Sequence, residues 1–237
     1  MAFCIRLLGA TLTALLVSAP LHAQLATYNF SGLSGTPSSV AGVAAAGLTA
    51  SSLTRGPGLT AASGVGRFGA ASFTTASSID TTDYFTFTLT PSAGQILNVT
   101  DLAFSERRSA TGIRNIAVRS SLDNFSTSLA LFSVPDDTLT RRQSFSLGGD
   151  FAHVTNPLEF RIYGYGAEAA SGTWGLGINA GADNPNGHAA NLIVSGAAYS
   201  APEPSTGALG ALGLGLLLAT VRPRRTLSPA ARRRRSR

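Results

Sequence analysis

The chain has 237 residues, 44% of them hydrophobic and 13% charged, and all 18 of its basic residues are Arg. Nine of those arginines fall in residues 1–23 or 202–237, so residues 24–201 hold nine Arg against eleven acids, a net charge of −2. A region without basic excess cannot neutralise a phosphate backbone, which excludes nucleic acid as a partner on charge grounds.

Taken in order, residues 1–6 are short and carry the single charge of Arg6, and residues 7–21 are almost continuously apolar. Leu21-His22-Ala23 then offers a small residue at a cleavage position. This is the layout of a secretory signal peptide over residues 1–23, removed by signal peptidase between Ala23 and Gln24. A retained N-terminal anchor is the competing reading; the run is short for a span and Ser18-Ala19-Pro20 discourages a continuing helix. Cys4, the only cysteine, lies inside the segment to be removed. The mature chain therefore has no disulfide, thiolate metal site or cysteine nucleophile, and stands on its apolar core.

Residues 24–200 are long enough for one domain with a core. Residues 31–66 are dense in Gly, Ala, Ser and Thr and read as a long loop or loosely paired strands. Beyond them, short runs alternate with period two. Phe85, Phe87 and Leu89 share one face and the intervening threonines the other, and in residues 158–163 the charged Glu159 and Arg161 point away from the apolar positions. The pattern continues at Ile116 and Val118, Leu129 and Leu131, Phe145 and Leu147, Trp174 with Leu176 and Ile178, and residues 191–195. Turn chemistry separates the runs at residues 91–94, 110–112, 135–137, 148–150 and 183–187. No internal segment shows a helical period with caps. The expectation is all-β: an antiparallel β-sandwich or jelly-roll ectodomain, with an N-terminal signal peptide and one C-terminal transmembrane helix.

Signals for chemistry are sparse. His153 and His188 have no metal-ligand spacing around them and read as loop residues. Glu106, Glu159 and Glu168 are the candidate acids for a jelly-roll glycosidase. However, Glu159 reads as a cross-strand ion-pair partner, and Glu106, beside Arg107 and Arg108, as part of a solvated turn. Asp136-Asp137 and residues 183–187 offer oxygens to a Ca²⁺ ion but fit ordinary turns better, since Pro185 stands at a ligand position. Tyr163, Tyr165 and Trp174 are candidates for stacking on sugar rings, with Trp174 expected in the core. No catalytic residue, metal site or cofactor is assigned.

The tail carries the clearest signal. Pro202-Glu203-Pro204-Ser205 is followed by an apolar run at residues 207–221, by Arg222, Arg224 and Arg225, and by a second cluster at Arg232, Arg233, Arg234 and Arg235. The flanking prolines keep the motif extended. The apolar run spans about 22 Å as a helix, short of the roughly 30 Å hydrocarbon core, and reads as a weak span suited to temporary anchoring. Gly207, Ala211, Gly215 and Ala219 would form a small-residue ridge on it. The adjoining arginines read as a stop-transfer signal, with a basic tail bound to something anionic as the other reading.

Residues 201–237 resemble the PEP-CTERM sorting signal of Gram-negative bacteria, with Pro202, Glu203, Pro204 and Ser205 as the recognition motif, residues 207–221 as the span and Arg222, Arg224 and Arg225 as the stop. The continuation to a second arginine cluster departs from the usual pattern. The resemblance implies processing near the motif by exosortase, a membrane cysteine protease, after transient anchoring in the inner membrane, and delivery to the cell envelope, surface or medium. It also implies a structural or adhesive β-sandwich of the extracellular matrix, with polysaccharide as its expected contact. Residues 84–87, 104–109, 118–123 and 160–165 are similar, more loosely, to exported domains of that family. The alternative from another class is a jelly-roll carbohydrate-active enzyme, a glycosidase or lyase. A third reading leaves the tail uncleaved and the domain simply anchored.

Overall fold

In the segment Tyr84–Pro91 the side chains of Phe85, Phe87 and Leu89 are buried and the threonines between them half-exposed, as a period of two dictates for a strand with one wet face. The computed structural model describes residues 23–178 and 183–201. The strands in chain order begin with β1 (Ala23–Asn29), β2 (Ser34–Gly35), β3 (Ser39–Val40), β4 (Gly42–Ala44), β5 (Leu48–Ala50), β6 (Leu53–Arg55) and β7 (Thr60–Ala61). They continue with β8 (Arg67–Ala71), β9 (Tyr84–Pro91), β10 (Gln95–Arg108), β11 (Asn115–Ser120), β12 (Ala130–Ser133) and β13 (Arg141–Ser146). The last three are β14 (Leu158–Tyr165), β15 (Trp174–Gly177) and β16 (Asn191–Ser200). Residues 31–66 thus take the second of their two readings: short paired strands, each two or three residues long.

Two sheets result. The first runs β2-β8-β15-β10-β16-β1-β4, with β13 also on β10 and β7 on β8; the second runs β12-β11-β14-β9-β6-β3, with β5 also on β9. The pairs are antiparallel except β2 with β8, which is parallel. Rings from both sheets meet in one core: Tyr28 of β1 lies 5.1 Å from Phe87 of β9, Phe68 of β8 lies 5.4 Å from Phe85, and Trp174 of β15 lies 5.2 Å from Phe85. Arg55 bridges the sheets at one edge. Its guanidinium donates to the carbonyls of Gly69, Pro37 and Gly35 and stacks 3.8 Å above Phe68. Burial pulls its pKa down to about 10.

The centre of the first sheet is bent. β1 inserts Leu25 opposite Val194 and Ser195 of β16, and β10 inserts Thr100 opposite Ser195 and Gly196. Gly196 has φ +151°, and a Cβ there would strike the carbonyl of Asn98. An extra residue in a strand sharpens the bend and reverses which side chains face inward. In β10 the buried apolar positions accordingly switch from Leu97 and Val99 to Leu102 and Phe104.

That switch overturns one sequence expectation. Residues 104–108 do not form a solvated turn; β10 continues through them, and the inward phase set by Leu102 and Phe104 carries Glu106 and Arg108 inside, both 0% exposed. A second difference is one of phase: on β12 it is Phe132 that packs inward, against Phe104 and Phe145, while Leu131 is 65% exposed. On β15, Trp174 and Leu176 are buried as expected.

Among the described residues no helix is long and apolar enough to cross a membrane. The expected signal-peptide core and the span at 207–221 lie outside the described residues.

Candidate functional site

The C-terminal end of β10 gathers most of the acids singled out in the sequence. On its inner side Arg108 donates to Glu168 at 2.8 Å and to Asp136 at 2.9 Å, and to the carbonyls of Ala110 (2.8 Å), Gly112 (3.1 Å) and Pro135 (3.3 Å). Arg114 reaches the same two acids, each at 3.2 Å. Loops arriving from three directions are thereby tied to one strand. Neighbouring Asp137 pairs with Arg141 of β13. Burial pushes the Asp137 carboxyl up, but the Leu139 N–H and Arg141 together outweigh it and hold it below the usual range.

Glu106, two positions before Arg108, accepts from the Trp174 indole N–H at 2.9 Å and from the Gln143 side-chain amide at 3.2 Å. Burial raises its pKa despite both hydrogen bonds and the nearby charge of Arg141. A carboxyl with a raised pKa serves acid catalysis only where substrate can reach it. Glu106 is sealed between the sheets, and its oxygens face an indole and an amide rather than a cleft.

On the outer side of the same strand end, Ser105 donates to the carbonyl of Ala189, and Arg142 of β13 reaches Asn191 at 3.0 Å. Arg107 donates to the carbonyl of Thr138 at 2.8 Å and pairs with Asp183 at 3.0 Å. The 183–187 loop, read as a turn or Ca²⁺ site, is thus joined through Arg107 to Thr138, the residue that follows the 135–137 turn. Their acids are engaged by arginines, and among the described residues no group of three His, Cys, Asp or Glu is placed to hold a metal ion.

The outer face of the second sheet carries a different surface. Arg161 lies between two rings, 4.5 Å from the centre of Tyr84 and 3.8 Å from that of Phe125, and donates to Glu159 at 2.7 Å. Glu159 also accepts from Thr86 of β9. The Glu159–Arg161 pair lies along one strand, and it is the Thr86 hydroxyl that crosses to the neighbour. Tyr163, 1% exposed, and Trp174, 0% exposed, are closed to sugar stacking; Tyr165 is half-buried.

Of the three glutamates weighed as a catalytic pair, Glu106 and Glu168 are drawn to the end of β10 and Glu159 stands on the other sheet. His153 is exposed and bonds Tyr199 at 2.9 Å, while His188 closes its loop through backbone contacts with Asn184. Ala23 and Gln24, the expected cleavage pair, are exposed at the start of β1. Pro202, Glu203, Pro204, Ser205 and the arginines of the tail lie outside the described residues. Sequence reasoning missed Arg108 as the hub; the Glu-Arg-Arg run looked solvent-facing because the Thr100 bulge that turns it inward leaves no mark in composition. Comparison of the chain with protein-family models and with curated proteins gave no match.

Proposed function

We propose that the chain is an exported protein whose β-sandwich, of the jelly-roll kind, has a structural or adhesive role in the extracellular matrix of a Gram-negative cell, with polysaccharide as its contact. Signal peptidase cleaves after Ala23. The tail then holds the protein in the inner membrane until exosortase processes it near Pro202-Glu203-Pro204-Ser205. One observation carries this reading: the order of motif, apolar run and arginine cluster in residues 202–225, which resembles the PEP-CTERM signal.

The domain adds weight against hydrolysis as its purpose. Glu168 and Asp136 are occupied by Arg108 and Arg114, and Glu106 is enclosed, so the acids of the β10 end work as ties between loops.

The test is the intact mass and C-terminal peptide map of the protein recovered from envelope and medium of its native host. Loss of everything beyond the Pro-Glu-Pro region is the expected result. A chain intact through Arg237 in the membrane fraction overturns the processing step.

A further inference from the structure

Residues 24–237 contain neither lysine nor cysteine: every basic residue of the chain is Arg, and Cys4 precedes the cleavage position. Once the chain is cut after Ala23, the α-amine of Gln24 is therefore its only aliphatic amine.

The fold fixes where that end lies. Gln24 is exposed and stands opposite Ser195 of β16, while Leu25 and Ala26 behind it are each 1% exposed. Leu25 is held further by the Ala45 N–H, which donates to its carbonyl at 2.9 Å. Cleavage removes one paired residue of β1, Ala23 opposite Gly196, and leaves the pairs from Gln24 to Asn29. Trimming past Gln24 by an exopeptidase would require drawing Leu25 out of the core, so the chain end rests at glutamine.

A terminal glutamine can react with itself. Only Cα, Cβ and Cγ separate its amine from the amide carbon Cδ, so the two meet by rotation about the side chain's own bonds. An α-amine titrates at about 8, which leaves roughly a tenth of it neutral and nucleophilic at pH 7. The side chain is available for this rotation. Its one described partner is the Thr27 hydroxyl, which donates to Oε1 at 2.9 Å in an exposed bond that water can replace.

We propose that the mature protein begins with pyroglutamate made from Gln24, and that it consequently carries no amine at all. The amine lone pair attacks Cδ, a C–N bond closes the lactam, and the Cδ–Nε2 bond breaks. Nε2 leaves as ammonia with a proton from the attacking nitrogen; nothing is oxidised or reduced, and no co-reactant is consumed. The lactam nitrogen keeps one N–H and no charge, like the peptide nitrogen it replaces opposite Ser195, whereas a free ammonium would set a cation beside buried Leu25. The inference rests on the cleavage after Ala23 proposed above. A chain without amines also offers nothing for sugar aldehydes to condense with, which suits contact with polysaccharide.

The test is the N-terminal peptide of the protein recovered from envelope and medium of its native host. Free amines are dimethylated before digestion, so a glutamine still open at recovery is labelled and can no longer cyclise during handling. Cleavage at arginine then yields the peptide ending at Arg55. The expected peptide begins at residue 24, is unlabelled, and is lighter than the unmodified sequence by one ammonia. A Gln24→Ala variant, which cannot close the ring, should carry one label at its first residue. Dimethylated Gln24 as the main species overturns the ring and leaves the cleavage site in place. A peptide that begins at any other residue overturns both, which separates failure of the cleavage reading from failure of the ring. An unlabelled Gln24→Ala variant that still begins at residue 24 also overturns the proposal, because the block would then not depend on the glutamine.

Discussion

Arg108 and Arg67 are both buried arginines of the first sheet, but they are met in opposite ways. Arg108 sits on the inner side, where loops from three directions bring two carboxylates and three carbonyls to its guanidinium. Arg67 lies on the outer side beneath a glycine-containing loop that offers it one carbonyl. The inner cation, with only its Nε unmatched, organises chain that would otherwise be loose, whereas the outer one has a single acceptor and leaves both Nε and Nη1 unmatched. Burial alone therefore does not say what a charged residue does; the supply of acceptors around it does.

The contrast can be broken most severely at Arg108. Arg108→Met leaves Glu168 and Asp136 to Arg114 alone and strips three carbonyls of their donor, and should lower stability by about 3 kcal/mol, the scale for leaving several buried acceptors unsatisfied. Urea unfolding reads this, and a loss as small as that for Arg67→Met would erase the distinction between the two arginines. Arg55→Met is expected to cost less, about 2 kcal/mol, because Arg55 also satisfies three carbonyls but is half-exposed. Its loss should open the edge between β6 and β8, seen as faster amide exchange at Gly35 and Thr36.

Glu106→Gln sharpens the comparison through its sign. The folded protein holds the Glu106 carboxyl above its ordinary value, so between the unfolded pKa and the folded one the native state binds more protons than the unfolded. The stability this group contributes is present below the ordinary carboxyl pKa, about 4.3, and is lost as pH rises through the folded value. The Gln variant should match the wild type near the acid end and exceed it at neutral pH. A constant difference across that range would show that the carboxyl does not titrate as its surroundings require. The smallest change is expected at Glu159→Gln on the half-exposed face of β14, about 0.5 kcal/mol or less in the unfolding midpoint.

Much of the second sheet was legible in the sequence. β9 and β14 alternate cleanly because one face is apolar and the other wet, and their register pairs Phe87 with Phe160 and Phe85 with Ile162 as alternation alone would allow. At β12 the pattern holds for Leu129, which packs on the core, and fails for Leu131: Phe132 has the larger apolar surface to bury, and a four-residue edge strand gives the period little length to assert itself. The strands of residues 31–66 escaped definition because two- and three-residue pairs carry no period at all.

The candidate site was least legible where it matters most. Glu106, Arg107 and Arg108 are a charged run on any local reading, and only the bulge at Thr100, together with acceptors for Arg108 from positions 110, 112, 135, 136 and 168 and donors for Glu106 from Gln143 and Trp174, makes burial of two of them tolerable. The acceptors at 135, 136 and 168, and both donors to Glu106, are remote in sequence.

β16 has one further consequence, a mechanical one. It is an interior strand, hydrogen-bonded to β10 up to Ser200 on one side and to β1 on the other. A pull applied at Ser200 along the strand axis loads both ladders in shear, so their rungs resist together instead of opening one by one. The Leu25 and Thr100 bulges lock the sliding direction, because advancing β16 by one residue would bring the Cβ of Ser195 into the place of Gly196, where it would strike the Asn98 carbonyl. A domain held by this strand would yield to tension abruptly and at high force, as a tether rather than a spring.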